Sequence, residues 1–268
     1  MKEVEIFSIG DELLRGVVQD SNSFWMAKRI AARGVRLTRV TVLPDDPETA
    51  ADEIRHSMSR GPALVITQGG LGPTDDDRTR EAIAIATRHP LEPNQEAEEI
   101  VRRRYTELAA AGDVRDAEMH EARLRMSRLP RGARPLDNSV GGAPGVLLEL
   151  ERTTIVALPG VPPELQWIWE NPLAAELDRV LGPGGFAEVT VKLDLRDESA
   201  IAELLRGVQS RNADVFVKSR AHSFESGDEI RVTLTAASEH DEAAQVLVDA
   251  ALADLGQTLE RAGIAIVS

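Results

Sequence analysis

The segment Ala63-Leu64-Val65-Ile66-Thr67 carries no polar side chain before its last residue. A strand with one face in water alternates. An unbroken apolar run therefore fits a strand covered on both faces, as in a parallel sheet between two layers of helices. A glycine-rich loop follows at residues 68–77, and a helical stretch runs from Thr79 to about Arg88. Strand, loop and helix in that order form the repeating unit of α/β architecture. The unit recurs. Residues 4–9 read as a buried first strand broken by Gly10, and residues 11–20 as a loop. Residues 21–33 read as a helix with Phe24, Ala27, Ile30 and Ala31 on one face and Gly34 as its stop. Residues 35–43 make a second strand, and Asp46 before Pro47 caps a helix to about Ser59. Downstream lie a long charged helix at 92–112, a helical segment at 116–126 and a strand pair at 145–150 and 153–158. A helix from Pro162-Pro163 to about Leu181 carries Leu165, Ile168, Trp169 and Leu173. The alternation predicts a three-layer α/β/α sandwich with a mostly parallel sheet.

Gly182-Pro183-Gly184-Gly185 is the clearest linker. It divides the chain into a domain at 1–182 and a small α+β domain at 186–268. The second reads as a strand (187–193), a helix (198–209), two strands (215–219 and 229–235) and a long helix (239–262). No apolar run approaches the ~20 residues that cross a bilayer, and the first ten residues lack the pattern of a signal peptide. A cytoplasmic location is the expectation. The chain has no cysteine, which excludes disulfides, thiolate nucleophiles and zinc–thiolate sites. A net charge of −14 and 3% aromatic residues disfavour nucleic-acid binding. A phosphorylated ligand would have to be held locally, by backbone amides, a few cations or a metal.

In an α/β sheet, ligands bind beyond the carboxyl ends of the strands. Three loops qualify there. Gly10-Asp11-Glu12-Leu13-Leu14-Arg15-Gly16, closing with Asp20-Ser21-Asn22, offers two acids beside a glycine turn, or simply a turn and a helix cap. Pro44-Asp45-Asp46-Pro47 contains one aspartate explained by capping, Asp46, and one that is not, Asp45. Gly69-Gly70-Leu71-Gly72-Pro73-Thr74-Asp75-Asp76-Asp77-Arg78-Thr79 lets the backbone approach phosphate oxygens at a helix start. It has neither the Walker A ending nor the dinucleotide fingerprint. Three aspartates would repel a phosphate unless a divalent cation sits between them. They exceed what a helix dipole calls for. Asn138 to Gly145 and Leu158 to Glu164 resemble either ligand loops or stiff connections. His56, His89, His120, His222 and His240 show no metal-ligand spacing, so a metal site would use oxygen ligands. Lys218-Ser219-Arg220 is a small basic cluster, read as a solvated strand end or an anion contact.

Taken together, Ile9 to Gly16, Asp20 to Asn22, Gly69 to Thr79, Asn138 to Gly145 and Leu158 to Glu164 resemble the N-terminal region of the competence/damage-inducible protein A (CinA) family. That region is a molybdopterin-binding-like domain related to MoaB and Mog. The resemblance implies a MoaB/Mog-like sandwich and a homo-oligomer. It implies a divalent-metal-dependent pyrophosphatase acting on ADP-ribose or a similar nucleotide, with magnesium, manganese or cobalt. The alternatives are a molybdopterin-binding protein or adenylyltransferase, and a nucleotide sensor without turnover. Gly-Gly-Leu-Gly-Pro-Thr is the CinA form of the loop, whereas Pro-Asp-Asp departs from the usual CinA turn and keeps the Mog reading open. No region matching the amidase domain of full-length CinA proteins is expected in this chain. The expected catalytic residues are Asp45, Asp76 and Asp77, the last two as metal ligands. The expected substrate contacts are Gly10, Asp11, Glu12, Asn22, Gly69, Gly70, Gly72, Thr74, Thr79, Asn138, Gly142, Pro144, Gly145, Pro159 and Gly160. Arg15 or Arg78 would offset charge on a departing phosphate.

Overall fold

The computed structural model describes residues 2–195, 197–221, 230–238 and 240–267. His222, the first residue of the expected strand 229–235 and the first residue of the expected helix 239–262 lie outside the described residues. The chain forms two compact units, Met1–Ile30 with Arg36–Leu181, and Ala31–Val35 with Gly182–Ser268.

The first unit runs β1 (Glu3–Ile9), α1 (Asp11–Leu14), α2 (Ser21–Ala31), β2 (Arg36–Leu43), α3 (Pro47–Arg60), β3 (Leu64–Gln68) and α4 (Thr79–Thr87). It continues with β4 (Leu91–Pro93), α5 (Gln95–Ala111), α6 (Glu121–Arg125), β5 (Arg128–Pro130), β6 (Arg134–Leu136), β7 (Gly145–Glu149), β8 (Thr154–Leu158), α7 (Pro162–Glu170) and α8 (Ala174–Leu181). Six strands form one sheet in the order β2-β1-β3-β8-β7-β6. β2, β1, β3 and β8 are parallel, and β7 and β6 add an antiparallel edge. Every residue of β3 and β8 is buried, as expected of strands covered on both faces. The register aligns Ile9 with Leu43, and Gln68 with both Ser8 and Leu158. Four parallel strands thus deliver their carboxyl ends, and their loops, to one edge. The chain moves from β1 to one side for β2 and returns to the other side for β3, so that edge contains a topological switch point.

Several elements differ from expectation, each for a local reason. Residues 11–14 form a single helical turn, α1, because Asp45 of another loop accepts the amide of Asp11 at 2.9 Å. The long charged helix begins at Gln95, where the Asn94 side chain accepts the Ala97 amide and Glu92 is taken into β4. Only Glu121–Arg125 of the segment 116–126 is helical; the Asp116 carboxylate binds the Glu118 amide and Arg123, which competes with helix. The stretch 162–181 is two helices, α7 and α8, broken at Asn171-Pro172, since proline disfavours helix at itself and the residue before it. The buried face of α2 is Asn22, Ser23, Met26 and Ile30. Phe24 faces outward, with the Lys28 ammonium over its ring at 4.5 Å.

The second unit comprises β9 (Gly185–Leu193), a 3₁₀ turn (Glu198–Ile201), α9 (Ala202–Arg211), β10 (Val215–Ala221), β11 (Ile230–Ser238), α10 (Asp241–Arg261) and β12 (Ile266–Val267). Its antiparallel sheet runs β10-β11-β9-β12. Alternation puts Val215, Ile230, Val232, Leu234, Ala187 and Leu193 in a core shared with α10 residues Val248, Ala251 and Leu255. Lys218 and Arg220 are exposed on β10, and Arg220 lies in register with Arg231.

Candidate functional site

The loops at the switch point enclose a cleft of about 630 Å³. Its floor is the glycine loop after β3. Gly69 and Gly70 take φ of +93° and +63°, and a Cβ on Gly69 would overlap the Ile9 carbonyl oxygen. The strand ends therefore pack closely only with glycine here. Every carbonyl of this turn is tied. Gly69 O accepts the Thr79 hydroxyl at 2.8 Å and Gly70 O accepts the Thr79 amide at 3.1 Å. Leu71 O and Gly72 O accept Nη1 and Nη2 of Arg80 at 2.7 and 3.2 Å. Arg80 is 3% exposed, and burial pushes its pKa down to about 10, against the pull of Asp77. Of the loop amides, Gly69 N–H is spent on Leu158 O at 3.0 Å. Those of Gly70, Leu71 and Gly72 carry no hydrogen bond among the described residues. A turn with bonded carbonyls and unbonded amides presents partial positive charge to an anion.

Carboxylates surround it. Thr74 donates its amide to Asp77 at 2.8 Å, and its hydroxyl oxygen lies 2.6 Å from the same carboxylate and in contact with Asp76. The Thr74 hydroxyl holds the Asp76 pKa below the ordinary carboxylate range. Gly72 leaves room for Asp77, since a Cβ there would come within 2.5 Å of its Oδ2. Asp45 accepts the Asp11 amide and sits near Glu12, Asp11 and Asp76; burial, reinforced by these like charges, raises its pKa. Asp20 caps α2 by accepting the Ser23 amide at 2.9 Å and takes the Ser8 hydroxyl at 2.6 Å. Asn22 donates from Nδ2 to Gln68 at 3.0 Å and to Gly160 O at 2.8 Å, while its Oδ1 is buried without a partner among the described residues. Because Gly160 O can only accept, the orientation of the Asn22 amide is settled.

The loop 138–145 and the start of α7 complete the lining with Gly142, Ala143, Val161 and Glu164, joined by Tyr105 and Met126. Asn138 is fully buried and fully bonded. Its Nδ2 reaches Ala143 O at 2.8 Å and Glu164 Oε2 at 2.7 Å, and its Oδ1 accepts the amides of Val140 and Gly141. Burial raises the Glu164 pKa, partly offset by the Asn138 bond and the charge of Arg104.

Of the expected residues, Gly10, Glu12, Asn22, Asp45, Gly69, Gly70, Gly72, Asp76, Asp77, Gly142, Pro159 and Gly160 line the cleft. Asp11, Thr74, Thr79, Asn138, Pro144 and Gly145 do not. Thr79, Asn138, Pro144 and Gly145 are buried behind the lining, where Thr79 and Asn138 hold loops in shape. Arg15 and Arg78 are spent on Asp11 and Glu81, and among the described residues no lysine or arginine lines the cleft. Asp75 turns away to Arg125. Tyr105, Gln68 and Glu164 were not named as ligand contacts, although Gln68 opens the glycine-rich loop and Glu164 is an acid in the first turn of a helix behind a Pro-Gly loop; Tyr105 carried no such signal.

The oxygen donors Asp76, Asp77 and Thr74 suit a hard divalent cation. Among the described residues no three acidic or histidine side chains converge into a cage.

A three-layer α/β domain with a ligand-sized cleft at the switch point of its sheet is a small-molecule-binding class of fold. The family described as a probable molybdopterin binding domain matches residues 5–179, and the chain belongs to it. A protein of Pyrococcus abyssi is 37% identical over 203 residues, which cover 76% of this chain and 79% of that one. A CinA-like protein of Frankia casuarinae is 35% identical over 248 residues, 91% of this chain but 56% of that relative. CinA of Thermoplasma acidophilum, a solved structure of unknown function, matches with a TM-score of 0.59 and 26% identity, over 66% of this chain and 99% of that one. The CinA-like character read from the five loops agrees with these relatives.

Proposed function

We propose that the cleft binds a phosphorylated pterin of the molybdopterin class, with a divalent cation (magnesium, manganese or cobalt) between its phosphate and Asp76 and Asp77. The observation that carries this reading is the glycine turn, whose four carbonyls are bonded from beneath and whose Gly70, Leu71 and Gly72 amides are left unbonded. Apolar surface from Tyr105 and Val161 suits a flat ring. The family description supports the pterin. Among the described residues the lining holds Glu12, Asp20, Asp45, Asp76, Asp77 and Glu164 and no cationic side chain, so an anion would bring its own counter-charge. When bound, such a cation neutralises charge on phosphate oxygens and polarises the phosphorus centre.

Asp45 favours a second reading, cleavage of a pyrophosphate such as that of ADP-ribose. A carboxylate with a raised pKa beside the phosphate turn is a better proton acceptor from an attacking water than an ordinary aspartate. The two readings separate by product. Molybdopterin should bind with magnesium and be released by a chelator, with ATP consumed only in its presence if adenylyl transfer follows. ADP-ribose hydrolysis would yield AMP and ribose phosphate in a metal-dependent manner. Failure of molybdopterin to bind with any of the three metals would overturn the first reading, and absence of AMP the second.

A further inference from the structure

Glu164 has a role in neither the phosphate turn nor the cation site, yet its carboxylate is held with unusual care. Oε2 accepts from Asn138 at 2.7 Å, and Asn138 is immobilised by three further bonds to the loop 140–143. Arg104 braces the same loop from behind, donating to Gly141 O at 3.0 Å and Val140 O at 3.2 Å. Gly141 makes room, since a Cβ there would overlap the carboxyl group of Glu164. The other oxygen, Oε1, accepts nothing among the described residues, although Glu164 lines the cleft beside Val161, Pro162 and Ala143. A partly buried carboxylate among apolar neighbours is costly unless donors reach its free lone pairs.

Resting on the reading that the cleft takes a phosphorylated heterocycle, we infer that Glu164 reads the ring edge by accepting two adjacent N–H groups, one on each oxygen. Pterins and guanine present such an edge, a ring N–H beside an exocyclic amino group. Adenine presents an amino donor beside a ring acceptor and satisfies one oxygen only. Glu164 therefore selects pterin- and guanine-type rings over adenine.

Glu164→Gln tests this with little change of shape. Its amide oxygen takes the Asn138 position, so an NH₂ donor replaces Oε1 and confronts the ligand's own N–H. Binding of GMP, AMP and a pterin monophosphate, each with magnesium, is measured by calorimetry on the full chain. Wild type is expected to prefer GMP and the pterin. Glu164→Gln should weaken both roughly 10- to 100-fold, the value of a charged hydrogen bond, and leave AMP unchanged or tighter. Glu164→Asp keeps two acceptors and should keep the preference at lower affinity. Equal weakening of all three ligands by Glu164→Gln, or no change, would overturn the inference while leaving the cleft reading intact. No binding of any of the three by wild type would overturn both.

Discussion

Arg80 offers the sharpest separation of stability from function. It is buried beneath the glycine turn and donates to Leu71 O and Gly72 O. Burial lowers its pKa to about 10, which puts the cost of keeping it charged at about 3 kcal/mol near neutral pH. Its two hydrogen bonds return roughly 1.5–3 kcal/mol each. The terms nearly cancel, so Arg80→Met, which keeps the apolar stem, should destabilise the chain by no more than about 3 kcal/mol. Function should suffer far more. Without the guanidinium, two carbonyls lose their donors, and the Leu71–Gly72 peptide can rotate to satisfy Leu71 O, withdrawing the Gly72 amide that shares its plane. Affinity for molybdopterin, or for inorganic pyrophosphate with magnesium as a simpler probe, should fall at least roughly tenfold, about one hydrogen bond to a charged acceptor. Denaturant midpoints give the first quantity and calorimetry the second. A folded Arg80→Met protein with wild-type affinity would refute the claim that bonded carbonyls hold the amides outward. Outright unfolding would refute the near-cancellation.

Three other perturbations follow from the same geometry. Asp77→Asn can still accept the Thr74 amide, so stability should change by about 1 kcal/mol or less while magnesium-dependent ligand retention is lost; retention at wild-type strength would remove Asp77 from the cation site. Gly69→Ala, at φ +93° against the Ile9 carbonyl, should cost roughly 2–5 kcal/mol, whereas Gly16→Ala, at φ +68° with open space around it, should cost only about 1 kcal/mol; thermal midpoints of the two variants check the contrast. Burial works to raise the Glu5 pKa, but the Arg60 hydrogen bonds at 2.8 and 2.5 Å prevail and hold it below the ordinary 4.5. This pair therefore contributes stability above about pH 4.5 that is lost as the pH falls through the lower folded value. Arg60→Met should destabilise by roughly 2–4 kcal/mol at neutral pH, with the deficit shrinking in acid, and a midpoint-against-pH series in both proteins measures it.

The parallel core and the glycine turn were legible because their signals are local. An unbroken apolar run, glycines and a helix start lie within about fifteen consecutive residues. What escaped depends on residues distant in the chain. Asp45 looked unexplained because the amide it caps belongs to Asp11, brought beside it by the pairing of β1 with β2. Arg80 sits between Thr79 and Glu81 and reads as a surface cation; only the folded turn reveals carbonyls above it. Thr79 and Asn138 were expected to touch ligand, but both spend their polar atoms on the loops themselves. Phe24 fits an apolar stripe in α2, yet tertiary packing selected Met26 and Ile30 instead. Three-residue strands such as β4, β5 and β6 leave too little periodicity to read.

A cleft whose described lining holds no lysine or arginine, on a chain of net charge −14, also sets the kinetics of encounter. Most phosphate-binding proteins draw their ligands in through a positive field, and added salt slows that capture. Here the long-range field opposes a free phosphorylated ligand, and in the binding mode proposed above attraction begins only within the short reach of a cation and three backbone amides. Raising ionic strength shortens the repulsive reach to about 10 Å at 0.1 M salt. At saturating magnesium, the association rate of this protein with its ligand is therefore expected to climb with salt. The complex with its cation already attached carries less charge than the bare anion, and it becomes the species that arrives.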